Sequence, residues 1–158
     1  MERKDSAASA VSALIVVVEG IVLRVIPIAF ALVIVLAALA GAQSKTIWDG
    51  VYTDDQAKRG EAASKANCQA CHGDRLSGDM GPGLAGAEFV GAWTGKPAFD
   101  LYEKIRTTMP QGNEGSLTAK EAADLVAYIF QLNKFPSGQT ELGTEASALG
   151  QIQIQARD

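Results

Sequence analysis

Cys68-Gln69-Ala70-Cys71-His72 is the stretch of this chain whose residue types and spacing can do chemistry. Two thiols with two residues between them, and a histidine directly after the second, have the spacing for covalent attachment of a c-type haem. On a helical turn, positions three apart share a face. Both thiols can then reach the vinyl groups of one porphyrin, and His72 projects beneath the iron as its proximal ligand. Two rival readings fit less well. A thioredoxin-like disulfide needs a strand leading into a helix, and no β-rich run precedes Cys68. A zinc site needs three or four ligands, and Cys68, Cys71 and His72 are all the cysteines and histidines the chain has. An iron so held needs a sixth ligand or an open site. With no second histidine, the candidates are Met80, Met109, a lysine or a vacancy, since Met1 belongs to the leading segment.

Helices and loops must place these groups. Ile47–Tyr52 reads as a loop whose aromatics cover an edge of the domain. Thr53 with Gln56 forms a capping box, and Asp54 and Asp55 favour the helix dipole, which predicts a helix from Asp54 to about Asn67. Gly60 lies inside it at a cost of about 1 kcal/mol relative to alanine. The glycine-rich run Gly73–Gly86 reads as a loop wrapping the haem edge. Ala87–Trp93 is expected as a short helix, and Pro97 as the first residue of another running from Ala98 to about Thr107. Trp93, Tyr102 and Arg106 are the polar-tipped candidates to meet a haem propionate, with none singled out. Thr118 and Glu121 make a second capping box, opening a helix over Ala119–Leu132. Its apolar stripe is Ala122, Leu125, Val126, Ile129 and Phe130, and Asn133–Pro136 stops it. Residues 137–158 are polar and contain glycine, with Ile152 and Ile154 alternating with glutamines. An edge strand or a disordered tail both fit; the expectation is a loosely docked extension.

From about Val51 to Leu142, roughly three-fifths of the sequence, the chain resembles class I cytochromes c with a single haem. It is most similar to those that accompany periplasmic quinoprotein alcohol dehydrogenases. The resemblance implies an all-α small cytochrome c fold, three to five helices packed around one covalently bound haem. It implies that Gly60 permits close crossing by the C-terminal helix. An aromatic residue usually follows one turn later, where this chain has Ser64, so looser packing is expected at the crossing, with more of the contact coming from the other helix. The Gly81-Pro82-Gly83-Leu84 segment resembles one whose proline carbonyl bonds the second nitrogen of the ligating histidine. Pro82 would thereby orient His72 and raise its basicity. In Asp124–Ile129, Leu125 would pack on haem and Tyr128 would meet the N-terminal helix. For the sixth ligand, Met80 is only eight residues past His72 and beside the segment expected on the proximal side. Met109 is 37 residues downstream, far enough for the chain to round the haem edge. The Ile105–Pro110 run also resembles the family's distal methionine segment, so Met109 is the expected distal ligand and Met80 an ordinary loop methionine.

Residues Ala10 to Ala40 are overwhelmingly apolar, and the chain after Gln43 is mixed and polar. Ile21–Arg24, Val25–Leu39 and Ala40-Gly41-Ala42 read as a positive start, an apolar core and a small-residue cleavage site. Residues 1–20 make an unusually long lead-in, which translation starting near Val22 would explain. The competing reading is an uncleaved anchor, since Ile21–Ala40 is about long enough to span a bilayer. The cleavage site favours removal. The expected organisation is therefore a signal peptide or anchor over 1–42, a cytochrome c domain over 43–136 and an extension over 137–158. Either way the soluble part lies outside the cytoplasm, in the periplasm, and touches a membrane only if the leader is uncleaved.

The whole chain carries 14 basic and 18 acidic residues, a net charge of −4. That balance offers no basic patch for nucleic acid and suits a partner with a positive docking rim. A histidine/methionine pair saturates the iron and raises its potential, which leaves one-electron transfer as the reaction. The expected role is an electron carrier between a dehydrogenase, by resemblance a quinoprotein alcohol dehydrogenase, and a terminal oxidase. A tightly held subunit of a dehydrogenase complex and a haem sensor or catalyst with an open distal site are the alternatives. N-terminal sequencing of the exported protein should begin at Gln43; a start at or before Val22 would establish the anchor instead.

Overall fold

In a computed structural model of the protein, residues 45–156 are described, and the leader or anchor expected over 1–42 lies outside them. The described chain is helical: α1 (Asp54–Asn67), α2 (Gln69–His72), α3 (Ala87–Trp93), α4 (Ala98–Thr108), α5 (Ala119–Leu132) and α6 (Ala146–Leu149). The only strands among the described residues are β1 (Lys45–Thr46) and β2 (Ile152–Gln153), which pair in parallel. No described helix is long and apolar enough to cross a membrane.

The helix starts follow from their caps. Thr118 and Glu121 exchange bonds as a complete capping box, Glu121 N donating to Thr118 Oγ1 at 3.2 Å and Thr118 N to the Glu121 carboxylate at 2.9 Å. At α1 the box is only half made. Thr53 Oγ1 accepts from Gln56 N at 3.2 Å, but the Gln56 side chain is buried and bonds elsewhere. Its Nε2 donates to Leu142 O at 2.9 Å, and its Oε1 accepts from Leu142 N at 2.7 Å. Pro97 takes the extended N-cap position, one residue before the place expected for it.

Helix α5 is the axis of the core. Every residue from Ala122 to Phe130 is buried, well beyond the expected stripe, because α1 covers one side and the C-terminal segment another. The α1–α5 crossing is close at Gly60. A β-carbon there would collide with the Asp124 carbonyl oxygen and lie 2.8 Å from Tyr128 Cβ. The looser packing expected around Ser64 does not occur. Ser64 is fully buried, and its hydroxyl has no hydrogen-bond partner.

An ion cluster ties three segments together beside this crossing. Arg59 donates to both Asp124 carboxylate oxygens at 2.9 Å and to Glu141 at 2.8 Å, while Lys120 donates to Asp124 at 2.9 Å. Burial alone would raise the Asp124 pKa, but the bonds from Arg59 and Lys120 outweigh it and hold the carboxyl below its ordinary value.

The C-terminal segment is not loosely docked. Leu142, Leu149, Ile152 and Ile154 are buried in the common core. Gly138 N donates to Tyr52 O at 2.6 Å, and Lys45 N to Gln151 O at 3.0 Å. Its polar composition hid this, because the apolar residues are few and spaced while the backbone and Gln56 supply the rest of the adhesion. Near the start of the domain, Tyr52 donates its hydroxyl to Phe135 O at 2.6 Å and Trp48 sits edge-on to Phe135 with ring centres 4.9 Å apart.

Gly60→Ala should destabilise the protein by about 1–3 kcal/mol in chemical denaturation, although alanine is the better helix former. Ser64→Ala should raise stability by about 1 kcal/mol by removing an unpaired buried hydroxyl. Because the folded Asp124 carboxyl titrates below its ordinary value of 3.8, its stabilising contribution is complete above that pH and is lost as pH falls through the lower folded value. The stability gap between wild type and Asp124→Asn should therefore close in acid; a gap that widens would contradict the ion-cluster assignment.

Candidate haem site

Cys68 ends α1 and begins α2. His72 N and Cys71 N both donate to Cys68 O, at 2.9 and 3.1 Å, so the motif forms one helical turn. Burial pushes the Cys68 thiol up to about 11, while Cys71 is exposed. The chain then doubles back. Gly78 N donates to His72 O at 2.7 Å and Gly81 N to Cys71 O at 2.8 Å. Inside this loop Arg75 and Leu76 have positive φ of 51° and 56°, a cost met in part by burying Leu76 fully.

The loop sets the His72 ring. Pro82 O lies 2.8 Å from Nδ1. A carbonyl oxygen can only accept, so Nδ1 carries the proton and Nε2 of the neutral ring keeps its lone pair. Gly81 packs flat on the imidazole, since a β-carbon there would lie 2.9 Å from both Cε1 and Nδ1. Asn133, at the end of α5, holds the far limb of the loop: its Nδ2 donates to Leu84 O at 2.9 Å and its Oδ1 accepts from Gly86 N at 2.8 Å. No sequence signal marked Asn133 for this role, because its partners are 47 and 49 residues away.

A cleft of about 400 Å³ opens between these elements, within the range of ligand sites. Cys68, Cys71 and His72 line it from α1 and α2, and Met109 lines it from the end of α4. Its walls are apolar, with Leu76, Leu84, Ile105, Leu125 and Ile129 contributed by the loop, α4 and α5. Met109 has extended backbone, φ −125° and ψ 153°. Met80 also lines the cleft, but it is 79% exposed and precedes the glycine that packs on His72, which puts it on the histidine side.

The cleft continues into a second lobe of about 240 Å³, lined by Trp93, Lys96, Lys104 and Glu88. Of the three side chains expected near a propionate, Trp93 is here. Tyr102 is buried in the core, and Arg106 is exposed and lines neither lobe. Lys104 was not singled out in the sequence, although it shares a helix face with Leu101, three residues before it. Lys96 was missed too, because contacts with the C-terminal segment place its turn.

These residues fit a covalently attached haem: two thiols on one turn, an imidazole with its inner nitrogen free, a thioether lining the same cleft and apolar walls. Bound there, the haem supplies a one-electron iron couple.

Part of the chain is similar to known proteins. Residues 55–129, just under half of the chain, match the sequence model of the family described as "Cytochrome C oxidase, cbb3-type, subunit III". Among solved structures, the chain is similar to a chain of the sulfane dehydrogenase SoxCD from Paracoccus pantotrophus, with 22% identity and a TM-score of 0.44. That similarity covers 59% of this chain and about half, 55%, of the other. No curated protein matches the chain. The described residues form a small all-α cytochrome c fold, and the motif and the family match imply covalently bound haem c and support electron transfer.

Gly81→Ala should push the imidazole off its place, destabilising the holoprotein by about 1–3 kcal/mol and shifting its reduction potential. Gly91→Ala, where a β-carbon meets nothing within 4 Å, should leave the potential unchanged. Equal effects of the two would contradict the packing assigned to Gly81.

Proposed function

We propose that His72 and Met109 ligate the two faces of the haem iron, with Cys68 and Cys71 forming the thioethers and Pro82 orienting His72. The observation that carries this reading is the placement of a carbonyl-fixed imidazole and Met109 along one apolar cleft that also holds both thiols. A ligand-saturated iron leaves no easy site for dioxygen or substrate, and the thioether favours the ferrous state. Apolar walls lower the reorganisation that accompanies each electron. The chain is then a one-electron carrier that receives electrons from a dehydrogenase and passes them to a terminal oxidase. The donor follows by resemblance to the cytochromes of quinoprotein alcohol dehydrogenases.

The carrier works in the periplasm, because haem is attached to such motifs outside the cytoplasm and residues 1–42 have the composition of a leader. The domain begins after Ala42, and residues 137–156 are built into it as its C-terminal strap. A second reading has an observation of its own: the matched family is named for an oxidase subunit. On that reading the chain is a resident subunit of an oxidoreductase complex, and co-purification with its partner after mild solubilisation distinguishes it from a diffusing shuttle.

Met109→Ala should abolish the weak far-red charge-transfer band of the oxidised protein and lower the potential, while Met80→Ala leaves both nearly unchanged. The reverse pattern would make Met80 the ligand.

A further inference from the structure

We propose that the lobe carrying Lys96 and Lys104 beside Trp93 receives the haem carboxylates, and that the C-terminal segment is the strap that places Lys96 there. The inference rests on the haem assignment above and deepens it.

The two lobes differ in what lines them. Cys68 and Cys71 line only the first, and Lys96 and Lys104 only the second, while His72 and Met109 line both. On a haem c the thioether bonds and the two carboxylates leave opposite edges of the macrocycle. With the thioethers at the cysteines and the iron between His72 and Met109, the carboxylates come to lie in the second lobe. The first lobe has no charged residue in its lining and offers no counter-charge. The second has two ammonium groups and one carboxylate, Glu88, a positive balance in a chain whose net charge is −4. Neither lysine is in an ion pair among the described residues, whereas Lys58, Arg59, Lys65 and Lys120 all are. Lys96 lies 4.9 Å from the centre of the Trp93 ring, which restrains its side chain at the lobe.

Lys96 sits in the turn between α3 and α4, and that turn is gripped from the C-terminal segment. Gly95 N donates to Ile154 O at 2.8 Å, Ile154 N donates to Lys96 O at 2.9 Å, and Pro97 bridges to Gln153. Ile154 is fully buried, so the grip is anchored in the core. These residues lie beyond the stretch that matches the cytochrome family, which ends at residue 129. The extension thus has a task at the haem, besides closing the fold. A cation at this edge disfavours the ferric state, so each lysine raises the reduction potential.

The test is potentiometric titration of exported holoprotein at fixed pH and low ionic strength. Lys96→Gln and Lys104→Gln should each lower the potential more than Lys58→Gln, and added salt should shrink the difference. Lys96→Arg should keep the wild-type value, which a merely structural role for the side chain would not require. Ile154→Pro removes the N–H that bonds Lys96 O; it should lower the potential and add little further when combined with Lys96→Gln. If that variant yields no holoprotein, Gly95→Ala, strained at φ 85°, disturbs the same turn and is read the same way. Potentials of the two glutamine variants no lower than that of Lys58→Gln would overturn the carboxylate assignment. Additive shifts of the strap variant and Lys96→Gln would overturn the strap. A colourless wild-type protein would contradict the haem reading itself, which keeps the two failures apart.

Discussion

A carbonyl oxygen held 2.8 Å from Nδ1 of the only histidine in the chain is the contact on which the rest depends. It decides the tautomer, and so leaves Nε2 as the nitrogen with a lone pair to give. That oxygen is placed by a glycine-rich loop with little regular structure, and the loop is held at its far limb by Asn133 at the end of α5. Helix α5 in turn is fixed by its crossing with α1 at Gly60, and α1 leads directly into the two thiols. The imidazole and the thiols therefore share one rigid support. A shift at the helix crossing would be felt at both.

Much of this was legible in the sequence wherever the cause was local. The five-residue motif, the caps at Thr53 and Thr118 and the 3.6-residue stripe of α5 each carry their own instruction; α1 and α5 occupy the spans the caps mark, and the motif forms the turn α2. Leu125 does line the cleft and Tyr128 does meet Gly60. What could not be read depends on partners far along the chain. Gln56 looks like the second half of a capping box, yet its amide bonds Leu142, 86 residues away. The C-terminal segment looks too polar to dock because much of what holds it is backbone hydrogen bonding, which composition does not reveal. Ser64 signalled a gap, yet it is fully buried with an unpaired hydroxyl.

The architecture divides its polar and apolar duties by position. An ion cluster of Arg59, Asp124, Glu141 and Lys120 sits beside the helix crossing, and Lys96 and Lys104 line the second lobe. The walls of the main cleft are uncharged. Such a site can hold a macrocycle whose body is apolar and whose iron changes charge by one unit, with little rearrangement of the protein. This is what an electron-transfer domain requires, and it makes few demands on the rest of the surface.

Carbon monoxide binding to the reduced, exported protein tests the central claim most directly, because it asks whether the iron has a free position. The account predicts no change in the visible spectrum at saturating gas, since nitrogen and sulfur fill both faces. Prompt formation of a ferrous carbonyl spectrum would contradict it and make the cleft a ligand-binding site.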